Sequence, residues 1–170
     1  MGLAEQIEQK AFLGTEFLTW LWHKSELEDG KIALKNEDPV EVQFQDAMTL
    51  EAHYGEATIQ TLRGETPGAS AEARSALIEG KKAKRAKIHL AQGEMEWTFV
   101  LRGDTFDFGS IKVPAPKGLP IEESVSLRLQ AVDRLFELVH RLFETFLEIR
   151  LQPGEWAGEI ARFRQWIETK

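Results

Sequence analysis

No cysteine occurs anywhere in the 170 residues, which excludes disulfides and thiolate metal sites and fits a reducing compartment. No apolar run approaches the length of a membrane span. The N-terminal MGLAEQIEQK lacks the basic region and apolar stretch of a signal peptide, and Gln6 stands where a myristoylation motif needs Ser or Thr. The expectation is a cytoplasmic protein with no membrane contact. Excess positive charge is also missing. The net charge of −7 works against binding a polyanion, although a local basic patch matters more than the sum. Walker A, GxGxxG, GxSxG and HExxH motifs are all absent.

The stretch with neither glycine nor proline is the most informative one. From Ile121 to Leu151, Val125, Leu129, Val132, Phe136, Val139, Phe143 and Phe146 recur at spacings of three and four, one stripe of an α-helix. Ala131, Leu135, Leu138, Leu142 and Ile149 form a second stripe beside it. A rod of that length spans roughly 45 Å, and two stripes need cover from two directions. Leu135, Leu138, Leu142, Phe143 and Phe146 are therefore candidates for core packing or for a subunit interface, with a two-fold homodimer the default.

Elsewhere the pattern alternates between helix and strand. Residues 1–30 read as two short helices, one ending where Gly14 interrupts and one capped by Thr15, with Phe17, Leu18, Leu21 and Trp22 on its apolar face. Residues 39–113 carry the period-two signature of strands. Val40, Val42 and Phe44 alternate with polar residues, Met48, Leu50, Ala52 and Tyr54 repeat the pattern, and Gly55-Glu56 suits a hairpin turn. Ala69 to Glu79 reads as a short helix stopped by Gly80. A turn at Gln92-Gly93 would place Leu90 opposite Met95, Ile88 opposite Trp97 and Ala86 opposite Phe99. Gly109 suggests a bulge between Phe108 and Ile111. Residues 121–168 hold the long helix and a terminal one marked by Trp156, Ile160, Phe163, Trp166 and Ile167. The whole is one α+β domain, an antiparallel sheet of five to six strands packed by the long helix and flanking helices.

The candidate chemistry is sparse. Lys81, Lys82, Lys84, Arg85 and Lys87 put five cations into seven residues, suited to riding on phosphates without reading bases. The bland alternative is a solvated hairpin edge whose lysines deter edge pairing, with Glu94 and Glu96 offsetting the charge. His140 and Glu144 could supply two metal ligands, but a site needs a third, so no metal or cofactor is expected. His23, His53 and His89 are scattered without a spacing that implies chemistry. Asp107-Phe108-Gly109 spells a kinase tripeptide without the glycine loop, VAIK lysine or HRD that gives it meaning. No catalytic residue stands out, and a hydrolase or nuclease built on scattered carboxylates is the weakest reading.

Four segments in order carry a resemblance: FLGTEFLTWLWHKSE (Phe12 to Glu26), ALIEGKKAKRAKIHL (Ala76 to Leu90) with Trp97 in the WxFxL strand that follows, FDFGSIKVP (Phe106 to Pro114) and the FLxxRL run from Phe146 to Leu151. Together they resemble the C-terminal portion of divergent members of the recombination-associated RdgC family. The resemblance implies a dimeric, non-enzymatic protein that binds double-stranded DNA without sequence preference, restrains RecA-driven recombination and is associated with the nucleoid. In that family the dimer forms a ring around the duplex, and an N-terminal portion helps build it. The cations carried over are Lys81, Lys82, Lys84 and Arg85, which match the family's GKKxxRA string. The alternative expectation is a module that binds a protein and not DNA, either a recombination protein or a separate RdgC-like N-terminal half.

Overall fold

The structure, a computed structural model, describes residues 3–52, 59–65, 67–114 and 117–169, with side chains described from residue 13 onward. The expected turn at Gly55-Glu56 lies outside those residues. Helix α1 (Leu3–Ser25) leads through a 3-10 turn into β1 (Lys31–Ile32) and the long β2 (Val40–Glu51). Then follow β3 (Ile59–Arg63), α2 (Ala71–Ile78), β4 (Lys82–Gln92), β5 (Met95–Arg102) and β6 (Asp107–Lys112). The last two helices are α3 (Ile121–Arg150) and α4 (Pro153–Thr169). The six strands form one antiparallel sheet in the order β1-β2-β4-β5-β6, with β3 paired to the far end of β2. This is the expected α+β class.

The core lies on one face of that sheet. Val40, Val42, Met48 and Leu50 of β2, Ala86, Ile88 and Leu90 of β4, and Trp97, Phe99 and Leu101 of β5 are all buried. Alternation puts their neighbours on the open face. Against the buried face lie α1, through Phe17, Leu18, Leu21 and Trp22, and the middle of α3, through Leu135, Leu138, Leu142 and Phe146. Phe17 meets Phe143 edge-on at 5.2 Å between centroids and Phe146 at 5.7 Å, so the aromatic helix packs on the long helix as well as on the sheet. The Trp97 indole N–H donates to the Ala131 carbonyl at 2.9 Å, pinning α3 to β5.

Several expectations need correction. Gly14 does not interrupt a helix and Thr15 does not cap one, because α1 runs unbroken across both. Glycine is there for proximity: a methyl group at Gly14 would overlap the Gly103 carbonyl oxygen, and one at Gly103 would sit 2.7 Å from the Gly14 oxygen. Helix and sheet corner touch backbone to backbone, which only glycine permits. The β4–β5 turn is one residue further on, at Gly93-Glu94, with Gly93 at φ +61°. Leu90 therefore pairs with Trp97, Ile88 with Phe99 and Ala86 with Leu101. Sliding the partner by two residues keeps every side chain on its face, so burial was readable while the pairing was not. Tract β2 is one strand with a register shift between Gln45 and Met48, where Asp46 takes φ +31°. The irregularity near Gly109 is present, with the register shifting between Thr98 and Val100 opposite β6.

Helix α2 is set by its ends. The Ser70 hydroxyl accepts from the Ala73 N–H at 3.1 Å, and beyond Ile78 the Gly80 N–H donates to Leu77 O and the Lys81 N–H to Ala76 O. Gly80 at φ +82° makes this a Schellman stop, which turns the chain sharply into β4 and fixes where the lysine run begins.

Candidate functional site

The basic run does not lie on an edge. Strand β4 is paired on both sides, by β2 and β5, so its lysines have no edge to protect. Nor do its cations share one face. Lys81 and Lys82 turn toward α1 and α4, where they line a cavity. Arg85 and Lys87 alternate with buried Ala86 and Ile88 and so lie on the open face.

Each lysine in the run faces a carboxylate. Lys81 Nζ lies 3.0 Å from Glu79, Lys82 Nζ 3.5 Å from Glu16, and Lys84 Nζ 3.0 Å from Glu51 and 3.9 Å from Asp104. Lys87 pairs with Asp46, whose carboxyl is held below its usual range by that hydrogen bond and charge. These partners are not the Glu94 and Glu96 expected; Glu96 instead reaches His89 at 3.5 Å. Arg85 is exposed and, among the described residues, has no ion pair. Its direct cross-strand partner is Arg102, which itself lies 3.3 Å from Asp104. A phosphate approaching this strand would thus compete with carboxylates everywhere except at Arg85.

The five interface candidates on α3 belong to the protein's own core. Leu135, Leu138, Leu142 and Phe146 are fully buried within the chain, and Phe143 is half-buried between Phe17 and Phe106. Of the two roles expected for them, packing is the one the structure gives. The uncovered surface is on the other stripe, at the N-terminal half of α3: Ile121 is 82% exposed, Val125 50%, Leu129 61% and Phe136 43%. From Ile121 to Gln130 only Ser124 is even partly covered, so the first turns of α3 stand clear of the sheet. Further along, Arg134 and Arg141 both reach Glu37, at 3.4 and 3.1 Å, and clasp the helix to the loop before β2.

His140 and Glu144 face each other at 3.2 Å on the solvent side of α3. Among the described residues no group of three His, Cys, Asp or Glu side chains is gathered as metal ligands.

A buried polar cluster was not foreseen. Glu159 of α4, almost fully buried, accepts from the Trp20 indole N–H at 3.0 Å and from Lys24 Nζ at 3.1 Å, with Arg162 at 3.2 Å. Burial alone would raise its carboxyl; these donors outweigh that and hold it ionised. Next to it His23 is buried between Phe163 and Trp166, and its Nε2 has no hydrogen-bond partner. Burial, with the Lys24 charge adding to it, lowers the imidazole to about 4. Beside this cluster α1, the α2–β4 junction and α4 line a half-open cleft of about 160 Å³. The sequence signal was Trp20, His23 and Lys24 on one face of α1 and Glu159, Arg162 and Phe163 on one face of α4. It has meaning only once the two helices are known to touch.

Set against models of known families, curated proteins and solved structures, the chain matches none. Among the described residues no helix is long and apolar enough to cross a membrane.

Proposed function

We propose that this chain is a non-catalytic interaction module that pairs with a second copy of itself along the free stripe of α3. One observation carries the reading: Ile121, Val125 and Leu129 form an exposed apolar line on the first turns of α3, which have no cover from the described residues of their own chain, and it runs on through half-buried Val132 to Phe136, which packs on Phe108. Apolar surface left in line on these turns is favourable to take out of water, so it suits a packing partner. A two-fold axis near the middle of the line would lay the stripe of one copy antiparallel on that of the other, a self-complementary contact. Dimerisation is also what the RdgC-like segments imply. Replacing Val125 and Leu129 together by Glu should yield a monomer on size-exclusion chromatography with an unchanged circular dichroism spectrum, because neither side chain enters the core. A double variant that elutes like the parent would reject the stripe as the contact, and a parent that is monomeric until an RdgC-like N-terminal half is added would reassign the partner.

A second reading, binding of duplex DNA in recombination or replication and so at the nucleoid, is favoured by Arg85 and Arg102. Like charges directly opposite destabilise a sheet, and an anion held between the two guanidinium groups would relieve that. Binding would then fall steeply with salt, and Arg85→Glu would weaken it more than Lys84→Glu, whose lysine already has two carboxylate neighbours. Equal losses from both would restore the lysine run as the contact, and no duplex binding at low salt would leave the protein-interaction reading alone.

A further inference from the structure

Helix α4 is joined to the rest of the chain along a narrow seam. Only Glu159 and Trp166 on it are buried. Its first turn is tied to α3, where Trp156 meets Phe146 edge-on at 5.9 Å between centroids and lies under the Arg150 guanidinium. Further along it meets α1. Glu159 accepts from Trp20 and Lys24, Trp166 stands perpendicular to Trp22 at 5.5 Å, and His23 fits against Phe163 and Trp166 at 5.3 and 5.1 Å. The link from α3, residues 151–154, is exposed, and a side chain at Gly154 would meet nothing. A helix held in this way can part from the fold as a unit, because a thin contact opens at lower free energy than a core strand.

The middle of the seam holds a titratable group in a place that suits only its neutral form. His23 is 1% exposed, and its Nε2 has neither an acceptor nor surface open to water. Protonation puts an N–H on both ring nitrogens, so the imidazolium would be a buried and unmatched charge. Its neighbours add to that cost. Lys24 on its own helix and Arg162 on α4 repel it, while Glu159, the opposing charge from α4, already holds Trp20, Lys24 and Arg162. From the α2–β4 side Lys81 and Lys82 line the cleft that His23 shares, paired with Glu79 and with Glu16 of α1, and Arg74 of α2 lines a small void with Trp166. Water reaches Nε2 only when α4 has moved off it. We propose that α4 is a pH-operated latch: protonation of His23 shifts it from docked to released in mild acid, uncovering Trp20, Trp22 and Phe163 while the sheet stays folded. The latch is independent of α3 pairing, since none of these residues belongs to the free stripe.

The test is amide hydrogen exchange of the full chain, read by mass spectrometry at about pH 7.5 and about pH 5 and corrected for the intrinsic rate at each. With the ring at about 4 when docked and about 6.5 once released, the opening equilibrium of α4 should rise roughly thirtyfold at the lower pH. Peptides covering 153–169 should show that gain. They should also exchange well ahead of peptides covering 82–92 and 95–102, which open only with the whole fold. Glu159 is held below its ordinary 4.5 and stays ionised at about pH 5, which leaves the gain to His23. His23→Phe should remove the gain, and His23→Gln should do the same if the Phe variant does not fold. Protection of α4 that is equal at the two pH values, exchange of α4 and sheet in step, or a non-titrating variant that keeps the gain would each overturn the proposal.

Discussion

Two side chains, one of them almost nothing, carry constraints out of proportion to their size. Gly14 sits within α1, where alanine would ordinarily gain about 1 kcal/mol of helix propensity. Here Gly14→Ala drives a methyl group into the Gly103 backbone, and the predicted outcome is a net loss of about 2 to 4 kcal/mol, read from denaturant midpoints. His23 sets a pH dependence. Its folded-state pKa is depressed to about 4 from an unfolded value near 6.5, so the unfolded chain takes up the proton first as pH falls. Stability from the neutral ring is complete above 6.5 and drains away between there and about 4, by on the order of 2 to 3 kcal/mol. The groups that face it are Lys24, Arg162 and Glu159. Burial first, and then the two cations, hold the imidazole neutral, and the carboxylate, itself depressed, loses its contribution as pH falls below its ordinary 4.5. His23→Phe should therefore flatten the stability profile between pH 6.5 and 4 while leaving the acid limb below it. A parent profile already flat in that window would contradict the assignment.

Among the elements, α3 does two jobs along its length. Its middle and C-terminal half is core, its N-terminal third is surface. Phe146→Ala, at the meeting of Phe17, Trp20 and Trp156, should cost about 3 to 5 kcal/mol in thermal or chemical unfolding. Leu129→Ala should leave the stability of the monomer within about 0.5 kcal/mol, a contrast that checks the division directly. The existence and type of α3 and α4 were legible from the spacing of their apolar residues and the Pro153-Gly154 break. The faces of β2, β4 and β5 were legible from strict alternation. What could not be read was tertiary: the Gly14–Gly103 contact, and the tie in which the Ala83 N–H donates to the Thr19 hydroxyl at 2.8 Å while that hydroxyl donates to the Thr15 carbonyl. A glycine in a helix reads locally as a break, and only the neighbour across the gap explains it. The carboxylate partners of the lysine run were illegible for the same reason. Glu79 is a near neighbour of Lys81, but Glu16, Asp46 and Glu51 lie far along the chain, and only the fold brings them beside the run.

At the scale of the whole molecule, α1 and α3 cover one face of the sheet, and α3 projects an apolar line beyond that cover. The account depends on a second copy meeting this line. Sedimentation equilibrium of the unmodified chain at micromolar concentration, in moderate salt, measures that without any substitution. The prediction is a particle of twice the 19.3 kDa chain mass, dissociating on dilution to a single weight. A mass of one chain across the whole concentration range would contradict it.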